Sequence, residues 1–446
     1  MHFNSSSSLT MTLKKTGESV LPQYDLPEKQ STIAKKALLL LLVICCTANS
    51  QWNAEGIPVM DTSTSQNYLY PEIVTDGKGG CYVIWNDFRN GTDHNVYVQR
   101  LDKSGKEIYP HNGIAVETAP GFQQTNLCLG DGNGGIFATW SDSRDGQNNY
   151  IYAQHMDSNG TMLWQPNGIK VSDKQGFSSQ VVSDRAGGII INYCPDFEVV
   201  MQRIDSSGNR MWGDSGISQS NNEIFVYYML NASDGKGGVI VSWIQDSAIY
   251  AQRIRHDGSV AWKQNGIKLS LVDTTRSIIN IVEDGNFGAI ISWTTGSRVE
   301  VRAQRVDSNG TILWGNNGVH IGIGGSGPGY LVADQKGGAI IPVGKPGILK
   351  LFRVRTDGSQ IWSNGATVPT SFDQIYMVSD NASGAIVVSS GQNGSIQDDI
   401  FAQRIDSSGI ARWNPGGIVI SNFSSDKLHP AAVSDGRGGV LSRLGR

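Results

Sequence analysis

Asp234-Gly235-Lys236-Gly237-Gly238-Val239-Ile240-Val241-Ser242-Trp243, then Ile249-Tyr250-Ala251-Gln252-Arg253-Ile254, then Trp262 and Gly266-Ile267, is one copy of a unit of about fifty residues that recurs through the chain. The Asp-Gly turn returns at Asp76, Asp131, Asp184, Asp234, Asp284, Asp334, Asp380 and Asp435. An aromatic anchor returns at Trp52, Tyr109, Trp164, Trp212, Trp262, Trp314, Trp362 and Trp413. Repeats of this period signify stacked or radially packed supersecondary units.

Within one unit the glycines supply the positive-φ positions of a tight hairpin, and the aspartate can bond the turn backbone. Val239 to Trp243 is β-branched and too short for a helix, so it reads as a buried strand. Each unit therefore predicts four short strands, A to D: A enters the Asp-Gly turn, B leaves it, C carries Gln-Arg, and D follows the anchor. A four-stranded antiparallel unit cannot cover both of its faces alone, whereas radial packing also protects its edges. The expected fold is an all-β propeller of eight blades, with seven as the alternative. Strands A, B and D occur eight times but C only seven, and the D-type segment from Trp52 to Val59 precedes the first full unit. That offset predicts closure of the ring by the N-terminal strand, with the last blade incomplete.

The run Gln304-Arg305-Val306-Asp307-Ser308-Asn309-Gly310-Thr311-Ile312-Leu313-Trp314-Gly315-Asn316-Asn317-Gly318 resembles bacterial secreted propeller repeats of the delta-60 type. The resemblance extends over residues 52–441 and implies architecture rather than activity. A more distant likeness, to the Asp-box of sialidase-like propellers, is spoiled by an Asp-to-Trp spacing one or two residues too long.

Composition excludes several classes of partner. The chain has 54 Gly in 446 residues, 17% charged residues and a net charge of −4, without a basic cluster, so nucleic acid is not expected. Lys35-Lys36 precedes the apolar run Ala37 to Cys46, and Ala48-Asn49-Ser50 offers small residues before a cut at Gln51. Residues 1–50 therefore read as a disordered polar lead plus signal peptide, and 51–446 as the exported propeller. A run of about ten residues is too short for a stable membrane span, and an uncleaved anchor is the alternative. Only Cys81, Cys128 and Cys194 follow the run; an odd number is no disulfide framework, although a Cys81 to Cys128 bridge is conceivable on spacing.

No catalytic signature is visible. Glu72, Glu198, Glu283 and Glu300 fall at unrelated positions of the repeat, and the histidines show no ligand spacing. The recurring Arg100, Arg203, Arg253, Arg305, Arg353 and Arg404 are expected to bond between blades. No cofactor is expected; the acidic turns leave Ca²⁺ open, without a recognisable binding loop. Variable loops on a rigid scaffold are where binding concentrates. The B–C and D–A loops of the first repeats nominate Asp87, Arg89, Asp93, Phe122, Asp142, Arg144 and Phe177. The Asp and Arg of each loop also suit an ion pair that clamps the loop, which if exposed would contribute about 1 kcal/mol or less. The tryptophans Trp52, Trp164, Trp212, Trp262, Trp314, Trp362 and Trp413 are assigned to packing. The resulting expectation is a secreted or surface-bound noncatalytic propeller that binds an extracellular protein or glycan. A polysaccharide hydrolase or lyase, or a purely structural surface protein, are the alternatives.

Overall fold

The computed structural model describes residues 9–10, 42–44, 57–61 and 71–445, with short interruptions at 196–197, 220–226, 272–278, 296–299, 325–329, 346–347, 369–373, 393–397, 415 and 422–427. Eight antiparallel four-stranded sheets account for its regular structure, and no helix occurs among the described residues. The fourth is typical: Tyr227–Ser233, Val239–Gln245, Ala248–Ile254 and Ile267–Leu271 pair in chain order, with Val239 opposite both Ser233 and Ile254. Strand A of each sheet touches strand A of the next. The series starts at Glu72–Thr75 and ends when Leu428–Ser434 returns against it. The fold is an eight-bladed propeller with its first strands around the axis.

The core lies between blades rather than within them, because each sheet is apolar on both faces. Strand B of the fourth blade is buried at all seven positions. The cluster between the fourth and fifth blades joins Ile240, Ile249 and Trp262 to Ile279, Ile291 and Trp293. The anchor indoles bridge the seam: Trp212 Nε1 donates to the His256 carbonyl at 3.3 Å, and Trp314 Nε1 to that of Thr356 at 2.9 Å, each carbonyl lying in the C–D turn of the following blade. Gly310 in that turn has φ +87°, and a Cβ there would come within 2.9 Å of Trp262. A second strict glycine, Gly266, has φ +84° and lies under Trp243, 2.7 Å from where its Cβ would be. Both conditions exclude side chains, which explains the glycine four residues before the anchor and the glycine three or four residues after it.

The polar skeleton repeats as well. Asp234 Oδ1 accepts from the backbone N–H groups of Lys236 and Gly238, and Oδ2 accepts from Arg253. Arg253 then donates through Nη1 to the Ser308 carbonyl of the next blade. The same pairs form at Arg100–Asp76, Arg203–Asp184, Arg305–Asp284, Arg353–Asp334 and Arg404–Asp380, with His155 replacing arginine opposite Asp131. The recurring arginines thus secure their own hairpin first and the neighbouring blade second. Glutamine one residue earlier is equally fixed: Gln252 Nε2 donates to the Lys263 carbonyl, while Oε1 accepts from the Trp262 backbone N–H.

At the closure, Val59 and Met60 are buried in one cluster with Trp85 of the first blade and Val440 and Leu441 of the eighth. The Asp61 N–H donates to Asn112 Oδ1 at 2.6 Å, repeating the bond from Thr118 N–H to Asn167 Oδ1 at 3.0 Å between the first and second blades. Residues 57–61 therefore hold the fourth-strand position of the eighth blade; Trp52 lies outside the described residues. In the third-strand position stands Leu42–Ile44, antiparallel to Val440–Gly445. Of the expected leader segment, Leu9–Thr10 and Leu42–Ile44 are described, both antiparallel to Val440–Gly445, and the rest lies outside the described residues. No helix among the described residues is long and apolar enough to cross a membrane. Cys81, Cys128 and Cys194 are not joined by disulfides, so the Cys81 to Cys128 bridge does not form; burial pushes the Cys81 thiol up.

Trp262 is 8% exposed, and truncating it to alanine removes a ring from the seam and its bond to the Ser308 carbonyl. Trp262→Ala is expected to lower the unfolding free energy by ~3–5 kcal/mol, measured by chemical denaturation.

Candidate functional site

The nominated loop residues fall into two copies of one node and one adjoining patch. In the first blade, strand B is Cys81–Asp87 and strand C is Asn95–Leu101; in the second they are Ile136–Asp142 and Tyr150–Met156. Asp87 lies two residues after Trp85, on the same face of its strand, and its Oδ2 accepts from the indole Nε1 at 3.0 Å. Arg89 pairs with Asp87, donates to the Asn112 carbonyl at 2.8 Å, and lies over the Tyr97 ring at 3.8 Å. Asp142, Trp140, Arg144, Asn167 and Tyr152 repeat every contact in the second blade.

These pairs clamp their loops, but they are not exposed. The side chains of Asp87 and Asp142 have no solvent-accessible surface, while Arg89 and Arg144 keep about a quarter of theirs. The expected cost of about 1 kcal/mol or less is corrected accordingly: removing either carboxylate strips a buried indole and a half-buried guanidinium of their acceptor.

Asp93 and Phe122 meet in the adjoining patch. Asp93 Oδ1 accepts from Gly121 N–H at 2.8 Å, and that bond heads the causes holding the Asp93 carboxyl below its ordinary range. The His94 N–H donates to the Gly121 carbonyl, and the Gln123 N–H donates back to the His94 carbonyl, tying the B–C loop to the D–A loop. His94 lies between Phe88 and Phe122, with ring centroids 4.8 and 4.6 Å away, and partial burial lowers its pKa. Phe122 remains 41% exposed. Phe177 opens strand A of the third blade, Phe177–Ser183, next to Gly176, whose N–H donates to the Asn149 carbonyl.

A carboxyl passed over by the sequence reading lies beneath this patch. Glu117 closes strand D of the first blade, Ile114–Glu117, and is 1% exposed. Burial raises it to about 7, and the charge of Asp142 adds to the rise, against backbone bonds from Ala119 and Val96 and the Arg144 charge. The corresponding positions are Met60, Ser172, Ser220, Ser270, Gly322, Pro369 and Ser421, so Glu117 is the single carboxyl there. That departure from the repeat was legible; a search for two paired acids missed it because it compared the wrong glutamates. The acidic turns use their oxygens internally, and no group of three or more His, Cys, Asp or Glu is placed to hold a metal ion among the described residues.

No family model matches the sequence, and no curated protein matches it. Among solved structures, the chain is similar to the periplasmic gluconolactonase of Pseudomonas aeruginosa (12% identity, 71% of this chain and 86% of that one, TM-score 0.44). It is also similar to prolyl oligopeptidase B of Galerina marginata (12%, 86% and 55%, TM-score 0.46), spanning about half of that protein's length. A third similar structure is the α-L-arabinofuranosidase Arb93A of Fusarium graminearum (11%, 66% and 90%, TM-score 0.35). These likenesses are of fold alone. All three neighbours are named as enzymes, and the expectation of a noncatalytic binder is corrected and withdrawn on that finding.

Two outcomes follow from the buried carboxyls. Asp142→Ala is expected to lower the unfolding free energy by roughly 1.5–3 kcal/mol, read from denaturant midpoints, and not by the few tenths typical of a surface pair. For Glu117 the folded pKa lies above the unfolded one, so between about 4.5 and 7 the folded state holds more protons. Stability from this group is greatest below the unfolded value and is lost as pH rises through 7. Melting curves from pH 4.5 to 8 should show that loss in the parent and lack it in Glu117→Gln.

Proposed function

We propose that the chain is an exported polysaccharide hydrolase of the delta-60-like repeat type, acting through the loop face of its first two blades. The supporting observation is Glu117, an unrepeated carboxyl brought to about 7 beside the second carboxylate, Asp142. A carboxyl that holds its proton near neutral pH can give it to a glycosidic oxygen. Phe88, His94 and Phe122 offer a ring platform at the rim of the same loops, where an exposed aromatic face suits a sugar ring. Glu117 is 1% exposed, and the segment that follows it is held by bonds from Thr118 N–H to Asn167 Oδ1, from Gly121 N–H to Asp93 Oδ1 and from Ser143 N–H to the Phe122 carbonyl, so a substrate reaches the carboxyl only when these open.

The test is turnover of soluble plant and bacterial polysaccharides, scored by new reducing ends. Glu117→Gln should lower kcat at least a hundredfold while the protein melts no earlier than the parent at pH 7, and the parent's activity should decline as pH rises through about 7. Activity that survives Glu117→Gln, or no turnover of any polysaccharide by the parent, defeats this reading.

A further inference from the structure

Two residues at the A–B turns stand where the repeat places glycine. The residue after the turn aspartate is Gly235 in the fourth blade but Arg185 in the third, at φ +55°. Two residues further on, the position of Gly237 is taken in the fifth blade by Phe287, at φ +66°. A bulky side chain in the left-handed region is strained, and such strain persists where it serves a task. Gln335, Asn381 and Ser383 also have positive φ, but Gln335 and Asn381 bond to Ser379 and Ser434 of the next blade, and Ser383 is buried. Phe287 has no hydrogen bond to make, and it is 40% exposed.

Arg185 and Phe287 belong to one patch built from three consecutive turns. Arg185 Nε donates to Ser233 Oγ at 3.4 Å, and Nη2 pairs with Glu283 at 3.2 Å, two blades on. Ser233 Oγ also accepts from the Gly235 N–H, and Gly235 lies against the Phe287 ring, 3.0 Å from where its Cβ would be. Lys236 Nζ stands over the same ring, 4.0 Å from its centroid. Within the patch the other charges are matched. Asp184, Asp234 and Asp284 pair with Arg203, Arg253 and Arg305, and Arg185 with Glu283, while Lys236 has no carboxylate partner among the described residues.

We infer that this patch is a saccharide site separate from Glu117, for a polysaccharide that carries carboxylates on its sugar rings. A ring stacks on the exposed part of Phe287, its carboxylate meets the unmatched Lys236, and its hydroxyls bond to Arg185 and Glu283, which between them donate and accept. The A–B turns and the loops around Glu117 lie at opposite ends of the strands, so the site holds a chain without cutting it and stands whether or not Glu117 is catalytic. A clamp between the fourth and fifth blades is the competing role for Phe287. Stability separates the two: losing a clamp weakens the fold, whereas removing a ligand platform from a left-handed position relieves strain.

The experiment follows the full chain through native gels that contain polygalacturonate, its fully methyl-esterified form or polyglutamate, beside melting curves and the release of reducing ends. Polygalacturonate should retard the parent, the ester should do so more weakly, and polyglutamate should leave it unretarded. Phe287→Gly, which restores the residue of the repeat, should weaken retention about tenfold or more and melt no earlier than the parent. Lys236→Gln should bring the affinities for acid and ester within about twofold of each other. Glu117→Gln should be retained as the parent is, so that a failure of turnover and a failure of this site are read apart. Several outcomes would overturn the site: an unretarded parent, equal retention by acid and ester, or polyglutamate as effective as polygalacturonate. So would an acid preference that survives Lys236→Gln, or a Phe287→Gly variant that binds like the parent or melts several degrees earlier.

Discussion

The aspartate at each A–B turn is the point on which the blades depend. One oxygen of Asp234 gathers two backbone N–H groups and so fixes the hairpin, while the other holds Arg253 on strand C and thereby sets the position of the third strand. The arginine carries the constraint outward to the Ser308 carbonyl in the next blade. A carboxylate with 1% side-chain exposure is costly to leave unpaired, so this bond couples the hairpin, the strand and the seam. Apolar packing supplies the larger part of the free energy, but Ile, Val and Trp would tolerate other spacings. The Asp–Arg bond selects this one.

Such a node explains how repeats with so much glycine hold a defined shape. Strand A shrinks to Val332–Ala333 in the sixth blade and cannot specify register alone there. Asp334, which directly follows it at the turn, and Arg353 on strand C do so. The second blade tests the rule by substitution: His155 donates to Asp131 at 3.1 Å in place of arginine and stacks on Phe137. Burial pushes the Asp131 carboxyl up, yet the bonds from His155 and from the backbone of Asn133 and Gly135 outweigh it and leave it low. The geometry of the node survives a change of donor because the acceptor is fixed by the turn.

The scaffold was legible because each structural residue makes its contact many times over, and repetition separates role from accident. Trp262 could be assigned to packing and Arg253 to bonds between blades without coordinates for that reason, and the circular offset of the strands located the closure. Burial of Asp87 and Asp142 was not legible, since Asp after Trp and before Arg also describes a solvated loop. What decides it is strand periodicity: the pair Trp85 and Asp87 lies on one face at i and i+2, so the indole and the carboxylate enter the same seam. The aromatic patch of Phe88, His94 and Phe122 depends on two loops meeting across a blade junction, a relation that no local spacing encodes.

Glu117 differs from Asp87 and Asp142 in being poorly compensated. Asp87 and Asp142 each have an arginine and an indole; Glu117 has two backbone donors, and the nearest guanidinium, Arg144, is already spent on Asp142. The backbone task does not call for an acid. In the second blade Ser172 accepts the equivalent bond, from Lys174 N–H at 3.1 Å, where Glu117 accepts from Ala119 N–H at 2.9 Å. A neutral hydroxyl thus performs the same capping without the cost of burying a charge. A carboxyl retained where a hydroxyl suffices, with burial and the Asp142 charge both opposing its ionisation, is a local conflict with the scaffold, and such conflicts gather where proteins do chemistry rather than where they merely fold.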